Sequence, residues 1–134
     1  MKLTIFFLLI CNSYFAQNIK YCSDAKGVEI QKLKDVSEDK SFSHKPTYQL
    51  NDTLYNGEIK SCFPNGTLHM TCSIVKGKYH GKQICYSNGS VRSIAYYING
   101  QLEGKVEFYD VNGKIWRTEI YKKDKLVSCN GDCR

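Results

Sequence analysis

Three glycines recur at a nearly fixed interval through the middle of this chain. Gly57, Gly81 and Gly104 lie 24 and 23 residues apart, and each is followed by a short strand-like run and an Asn-Gly pair. A period of this length, repeated three times, is typical of a stacked array of one supersecondary unit. The interval constrains the fold strongly because every unit of such an array packs on its neighbour in the same way.

The Asn-Gly pairs predict β-hairpins, since both residue types tolerate the positive φ that a tight hairpin turn requires. The pairs are Asn65-Gly66, Asn88-Gly89 and Asn112-Gly113. Outbound strands are expected before them at 58–63, 82–86 and 105–109, and return strands after them at 68–76, 91–99 and 115–123. The glycine-flanked segments 77–81 and 100–104 are expected to form the turns between hairpins. The sequence therefore predicts an all-β fold, an elongated antiparallel meander of three hairpin repeats.

The N-terminal sixteen residues are typical of a signal peptide. Lys2 precedes an apolar run at 3–10, which is too short to cross a bilayer, and cleavage after Ala16 leaves Gln17 as the first residue. A competing interpretation is lipidation at Cys11, which the bulky residue before it disfavours. We expect an exported protein, periplasmic or secreted, with no transmembrane segment in the mature chain.

The segment 17–52 is irregular and predicts a cap at one end of the array, because terminal units of repeat stacks are usually atypical. Within it, 28–33 fits either a strand or one helical turn, 34–41 is polar and predicts a loop, and 48–50 is expected to be extended. The chain thus divides into a signal peptide (1–16), a cap (17–52), a repeat domain (53–127) and a C-terminal tail (128–134).

The cysteines predict disulfides. The chain has seven, and removal of Cys11 with the signal peptide leaves six, an even number that suits an exported domain of 118 residues. In a hairpin centred on 77–81, Cys72 faces Cys85 directly, at a separation that a disulfide can span. We therefore predict the pairs Cys72–Cys85, Cys129–Cys133 as a local ring, and Cys22–Cys62 between the cap and the first repeat.

The segment from Gly77 to Gly89 resembles a MORN repeat, which reads roughly Gly-Lys-x-His-Gly, then a short aromatic strand, then Asn/Asp-Gly. The segment from Gly100 to Gly113 repeats the pattern with Glu103 in place of the histidine. The resemblance covers about residues 53–127 and is greatest to the exported bacterial proteins labelled YwqK-type antitoxins. It implies a β-hairpin array used for binding and scaffolding, with no shared catalytic residues.

The sequence contains two groups of residues of the types that form metal sites and catalytic sites. Cys62, His69, Cys72, His80 and Cys85 fall within 24 residues, but the three-residue spacing of His69 and Cys72 places them on opposite faces of a regular strand, so no metal site is expected. The acidic residues of the second half of the repeat region are Glu103, Glu107, Asp110 and Glu119. Most of them are expected in turns or at exposed strand positions, where carboxylates are usually solvated. We expect no catalytic residues and no cofactor.

Aromatic residues are the candidate binding residues, because tyrosine and tryptophan combine a large apolar area with a polar group. They are Tyr86, Tyr96, Tyr97, Tyr109, Trp116 and Tyr121. The competing interpretation is that they pack across strands to hold a thin sheet together. The mature charge of 18 basic minus 13 acidic residues, +5, is spread along the chain and gives no indication of nucleic-acid binding.

These observations predict an exported, non-enzymatic binding or scaffold module that recognises a protein or a cell-envelope component through its repeat surface. The resemblance to YwqK-type proteins implies an alternative, an antitoxin or immunity protein that neutralises a specific toxin.

Overall fold

The computed structural model of the protein describes residues 19–38, 41 and 45–134. These residues form two β-sheets and two 3₁₀ helices, Cys22–Asp24 and Ile30–Lys32. The predicted signal peptide and Cys11 lie outside the described residues. Among the described residues, no helix has the length and apolar character needed to cross a membrane.

The described residues contain twelve strands. In chain order they are β1 (Val28–Glu29), β2 (Lys34–Asp35), β3 (Tyr48–Leu50), β4 (Thr53–Leu54), β5 (Gly57–Cys62), β6 (Leu68–Val75), β7 (Lys78–Ser87), β8 (Ser90–Ile98), β9 (Gln101–Leu102), β10 (Gly104–Tyr109), β11 (Ile115–Lys122) and β12 (Lys125–Gly131). The all-β prediction is confirmed.

The main sheet is the predicted meander with one strand added at each end. Its order is β1-β5-β6-β7-β8-β10-β11-β12, with β9 paired to β8. The three predicted hairpins are β5/β6, β7/β8 and β10/β11, all antiparallel, whereas β1 pairs with β5 in parallel. Strands β2, β3 and β4 form a separate small sheet. The predicted start of the tail, residue 128, falls inside β12, which pairs along β11.

The Asn-Gly pairs lie at hairpin turns in all three repeats, but in two different conformations. Asn88 and Gly89 both have positive φ, 51° and 80°, and form a two-residue turn between Ser87 and Ser90. In the other two hairpins only the glycine has positive φ, and its N–H donates to a carbonyl three residues earlier, Gly66 to Phe63 (2.9 Å) and Gly113 to Asp110 (3.1 Å). The outer two turns therefore use longer loops than the central one.

The turns between hairpins differ from the prediction. Each is a two-residue turn in which both residues have positive φ, the geometry that matches the twist of the flanking strands. They are Lys76–Gly77 (50° and 80°), Asn99–Gly100 (50° and 82°) and Lys123–Asp124 (46° and 67°), with a further one at Asn51–Asp52 (52° and 63°) in the cap. The predicted turn 77–81 is wrong, because the residues after Gly77 already belong to β7 and Gly81 lies inside that strand.

Hydrogen bonds join the three turns that follow the hairpins to the beginning of the hairpin before them. The N–H of the second turn residue donates to a carbonyl about 22 residues earlier. The bonds are Gly77 to Tyr55 (2.8 Å), Gly100 to Tyr79 (2.8 Å) and Asp124 to Leu102 (3.0 Å). We call these three bonds the turn ladder. Each turn is thus fastened to the beginning of the repeat before it by a bond that is additional to the strand pairing.

The residue before each recurring glycine adds a second bond of the same kind. Its side chain accepts the N–H of the first residue of the next turn. The bonds are Lys76 to Asn56 Oδ1 (2.8 Å), Asn99 to His80 Nδ1 (3.4 Å) and Lys123 to Glu103 Oε2 (2.8 Å). The histidine position of the repeat pattern therefore requires a hydrogen-bond acceptor, which asparagine, neutral histidine and glutamate all supply.

Two glycines with the same backbone conformation test how tightly the turns pack. A Cβ at Gly77 would lie 2.8 Å from the Tyr48 carbonyl oxygen, whereas a Cβ at Gly113 would meet nothing within 4 Å, and their φ values are 80° and 79°. We expect Gly113→Ala to cost about 1 kcal/mol from the left-handed conformation alone, and Gly77→Ala about 2 to 4 kcal/mol. Urea unfolding of the two variants measures the difference, and equal costs would contradict the packing described here.

The cap covers the first repeat on both faces of the main sheet. The inner face, as we name it, carries Ile59, Met70, Cys72 and Ile74 and the strand positions in register with them. These residues are buried against Tyr48, together with Ile30, Leu33 and Tyr55. Ile30, Leu33 and Tyr48 of the cap, together with Tyr55, thus close the inner face of the first repeat.

The opposite, outer face is closed by the beginning of the cap. A bulge in the β5/β6 ladder places Leu68 on this face, where it packs with Cys22 and Ala25. Lys60 secures the contact, since its Nζ donates to the carbonyls of Cys22 (2.6 Å) and Ala25 (2.9 Å). The cap therefore begins on the outer face, passes the sheet edge as β1 and continues on the inner face.

Two of the three predicted disulfides are present. Cys22–Cys62 ties the beginning of the cap to the first repeat, and Cys129–Cys133 closes a ring at the end of β12. Structural disulfides of this kind are typical of proteins that fold in an oxidising, extracellular environment.

The third predicted pair, Cys72–Cys85, is wrong, because both thiols are free. The turn lies at Lys76–Gly77 rather than at 77–81, and the register between β6 and β7 differs accordingly. Cys72 faces Gln83, and Cys85 faces Met70. The two cysteines are diagonal neighbours, which lie farther apart than a directly opposed pair.

The two free thiols differ in their access to solvent. Cys72 is buried and Cys85 only partly so, and burial raises the pKa of the Cys72 thiol to about 12, with the Glu58 charge adding to the effect. We expect iodoacetamide at pH 8 to label Cys85 in the native protein and Cys72 only after unfolding in urea, because the thiolate is the reactive species. Mass spectrometry without reductant checks this. Labelling of Cys22 or Cys62, or no labelling in urea, would contradict the pairing.

Candidate binding surface

The six aromatic residues proposed from the sequence do not share one surface. Cross-strand register, together with the ring contact between Trp116 and Phe108, assigns three to the inner face and three to the outer face. The inner group is Tyr97, Trp116 and Tyr121, and the outer group is Tyr86, Tyr96 and Tyr109. The two groups have different surroundings, so we treat them separately.

Tyr97 extends the aromatic packing of the core along the inner face. Its ring lies 5.3 Å from that of Tyr79, whose hydroxyl is 3.2 Å from the hydroxyl of Tyr48. Burial raises the pKa of Tyr97 to about 12 and also raises the pKa of Tyr79. Both phenols therefore stay neutral at physiological pH, and Tyr97 contributes mainly to cross-strand packing.

Farther along the inner face, a buried carboxylate organises its neighbours. Glu119 is only 4% exposed and accepts hydrogen bonds from the Arg117 guanidinium and from the Tyr121 hydroxyl, the latter at 2.8 Å. The guanidinium lies over the ring of Phe108, 5.5 Å from its centroid, and Phe108 packs against Trp116. Bonding to Glu119, followed by burial, raises the pKa of Tyr121. We call these five residues the Glu119 cluster.

Substitutions in this cluster test whether the Arg117–Glu119 ion pair adds to the stability of the fold or only compensates the cost of burying its two charges. Glu119→Ala leaves Arg117 without its partner, and we expect a loss of about 3 kcal/mol. The double variant Arg117→Leu with Glu119→Leu removes both charges and is expected to stay within about 1 kcal/mol of the parent. Glu107→Ala, which removes the partner of the exposed Lys105 and the acceptor of the Tyr109 hydroxyl, is the control and is expected to cost about 1 kcal/mol. Urea unfolding at pH 7 gives the three values.

On the outer face of the second and third repeats, the cap residues that the structure describes reach Tyr86 and Gly89 and leave Tyr96 and Ile120 exposed. An open groove of about 460 Å³ lies there between β8 and the loop that follows β10. Its apolar lining consists of Val91, Ile94, Tyr109 and Val111. Burial and the neighbouring Glu107 carboxylate raise the pKa of Tyr109, whose hydroxyl donates to Glu107 Oε2 at 3.3 Å. The groove therefore combines these apolar side chains with the polar residues Ser90 and Asn112.

Beside the groove, exposed apolar residues alternate with lysines across the strands. Tyr96 is 39% exposed and pairs with Lys82, and Ile120 is 37% exposed and pairs with Lys105. Exposed apolar residues next to basic ones are typical of interaction sites. We define the outer surface as Lys82, Ile94, Tyr96, Lys105, Tyr109, Val111 and Ile120. It contains two of the six predicted aromatics.

Tyr86 is the remaining aromatic of the outer group. It packs against the small cluster of Leu68, Cys22 and Ala25 beneath the cap, so it lies at the border of the outer surface. The aliphatic members of the surface were not among the residues proposed from the sequence. The signal that could have identified Ile94 is its two-residue spacing with Tyr96, which places both on the same face of β8. Val111 and Ile120 have no such spacing to Tyr96 or Lys105, and Ile120 is found only from its cross-strand pairing with Lys105.

The other candidate residues have structural contacts. Asp110 accepts the N–H groups of Asn112 and Lys114 in its loop. Cys62 is in a disulfide, and His69 Nδ1 lies 2.9 Å from the Ser61 hydroxyl. Within residues 19–38, 41 and 45–134, no three metal-ligating side chains gather into a site.

Comparison with known proteins gives little guidance. No family model and no curated protein matches the chain. A chain in the crystal structure of accessory secretory protein 1, 2 and 3 from Streptococcus pneumoniae is similar, with a TM-score of 0.42 and 15% identity, over 80% of the present chain and 20% of its own length. The present protein therefore spans about a fifth of that chain, and the likeness is too low to carry an argument about function.

Proposed function

We propose that this protein is an exported, non-enzymatic binding module that recognises a protein or a cell-envelope component through the outer surface. The observation that carries the proposal is the unequal covering of the sheet. The cap closes both faces of the first repeat, whereas Tyr96 and Ile120 remain exposed on the next two repeats. A repeat array that covers one end and leaves apolar positions open at the other is suited to recognition.

The chemistry of the outer surface indicates the kind of partner. Tyr96 and Tyr109 supply the aromatic groups that dominate interfaces, and Lys82 and Lys105 favour an acidic neighbour. The groove beside Tyr109 is large enough to receive an apolar side chain. A protein with an apolar segment flanked by acidic residues fits all three features.

Export is part of the proposal. Its support is the signal-peptide pattern of residues 1–16 together with the two disulfides, which are typical of oxidising compartments. The resemblance to MORN repeats also favours a binding role over an enzymatic one.

The second candidate is an immunity protein that neutralises a toxin. The resemblance to YwqK-type antitoxins motivates it, and a surface of apolar and basic groups suits an acidic toxin as well as any other acidic protein. A toxin encoded beside this protein, recovered with it and neutralised by it, would favour this candidate.

The test is recovery of partners from cell envelopes by cross-linking to the tagged mature chain. We expect the combined Tyr96→Ala and Ile120→Ala substitutions to reduce recovery of the main partner at least tenfold, as loss of central interface residues does. Trp116→Ala is the matched control, because Trp116 is a similarly exposed aromatic, 45%, on the inner face. Quantitative mass spectrometry gives the ratios. Equal recovery with the double variant, or greater loss with Trp116→Ala, would contradict the proposal.

A further inference from the structure

The last strand of the main sheet, β12, has an open edge within the part of the chain that the structure describes. It pairs with β11 on one side only. The strand is seven residues long, and Leu126 and Val127 are 53% and 63% exposed. The opposite edge is the two-residue β1, flanked on both sides by the cap. An edge of this length, with unpaired backbone groups, is able to accept another strand.

The repeat register shows what would occupy the open side. Ile84 in β7 pairs with Thr71 and Ile94, the residues on either side of it in the sheet. Glu107 in β10, 23 residues later, pairs in the same way with Ile94 and Thr118. Asn130 in β12, a further 23 residues on, pairs with Thr118 alone. Strand β12 therefore occupies the place of an outbound strand of the repeat, and its open side is the side on which the other outbound strands pair with a return strand.

The backbone direction of β12 fits this assignment. Lys122 and Lys125 flank the two-residue turn at Lys123–Asp124 and form the pair next to it. In such a hairpin the flanking pair is hydrogen bonded, and the following pair is not. Leu126, which opposes Tyr121, therefore directs its N–H and C=O away from β11 and towards the open edge.

Charge indicates the chemistry of the incoming strand. Lys122, Lys123 and Lys125 are exposed around the turn at the beginning of β12. Asp124, the acidic residue among them, already accepts Lys45 Nζ and the Leu102 N–H, both at 2.9 Å. One end of the incoming strand would lie beside this turn. An acidic residue at that end would contact lysines that have no acidic partner among the described residues.

We propose that β12 binds an extended segment of another protein, which adds to the sheet as an antiparallel strand in the place of a fourth return strand. The segment carries an acidic residue at its C-terminal end, beside the lysines. Main-chain hydrogen bonds supply affinity in this mode of recognition and side chains supply specificity. The site is separate from the outer surface and does not depend on that surface having a partner.

The probe is a synthetic peptide with the sequence of the return strand Ile115–Lys122, together with its Lys122→Glu variant. Both are added to the ¹⁵N-labelled full chain. We expect both peptides to slow hydrogen exchange of the Leu126 amide at least tenfold, and the Lys122→Glu peptide to bind at least threefold more tightly at low salt. A scrambled peptide is expected to have no effect, and Tyr96→Ala in the protein is expected to leave binding unchanged.

A further test changes only the backbone of the peptide, so the protein is the same in every measurement and its folding cannot account for a difference. One peptide is N-methylated at its odd-numbered residues and another at its even-numbered residues. Because only alternate amides of an added strand face β12, we expect one of the two to lose binding and the other to retain it. Loss in both, loss in neither, or protection of amides outside β12 would overturn the proposal. It would also be overturned if self-association already protects the Leu126 amide without peptide, since a second copy would then cover the edge.

Discussion

The turn ladder is the constraint on which the rest of the structure depends. A sheet only one layer thick has little core to hold its strands in register, and here each turn is instead fastened to the preceding repeat by a backbone N–H. Gly100 donates to Tyr79, and the N–H of Asn99 donates to the side chain of His80 in the same repeat. Both bonds span about 20 residues, so they fix the repeat period directly. Gly81 follows His80 with a φ of 92°, a conformation that glycine adopts most readily.

The burial of equivalent positions changes along the array. Cys72, Ala95 and Glu119 occupy the same place in successive repeats and are all buried. In the first repeat this place is covered by the apolar residues of the cap. In the third it holds a carboxylate that needs Arg117 and Tyr121 as partners. A charged group that is buried without a partner is costly. The position beneath the apolar residues of the cap is therefore apolar, whereas the equivalent position in the third repeat holds a charge that has partners.

The sequence was sufficient for the repeat architecture and insufficient for details that depend on register. The glycine interval and the Asn-Gly pairs predicted three antiparallel hairpins, and these are present. The predicted Cys72–Cys85 pair failed because a turn at Lys76–Gly77 shifts the opposed residues, and a shift in register changes every cross-strand neighbour. The division of the aromatics between two faces could not be read from a list of tyrosines. Bulges in each hairpin shift the alternation of side chains, and no local signal marks where they occur.

The stacked turns also affect how a chain of this kind can change its length. Every bond of the turn ladder joins the beginning of one repeat to the turn that follows that repeat, and none reaches beyond that turn. A unit copied between Gly81 and Gly104 would find the same carbonyl before it and offer the same N–H after it, so the new junction would resemble the existing ones. Gain or loss of whole units is therefore an easy evolutionary step for this architecture.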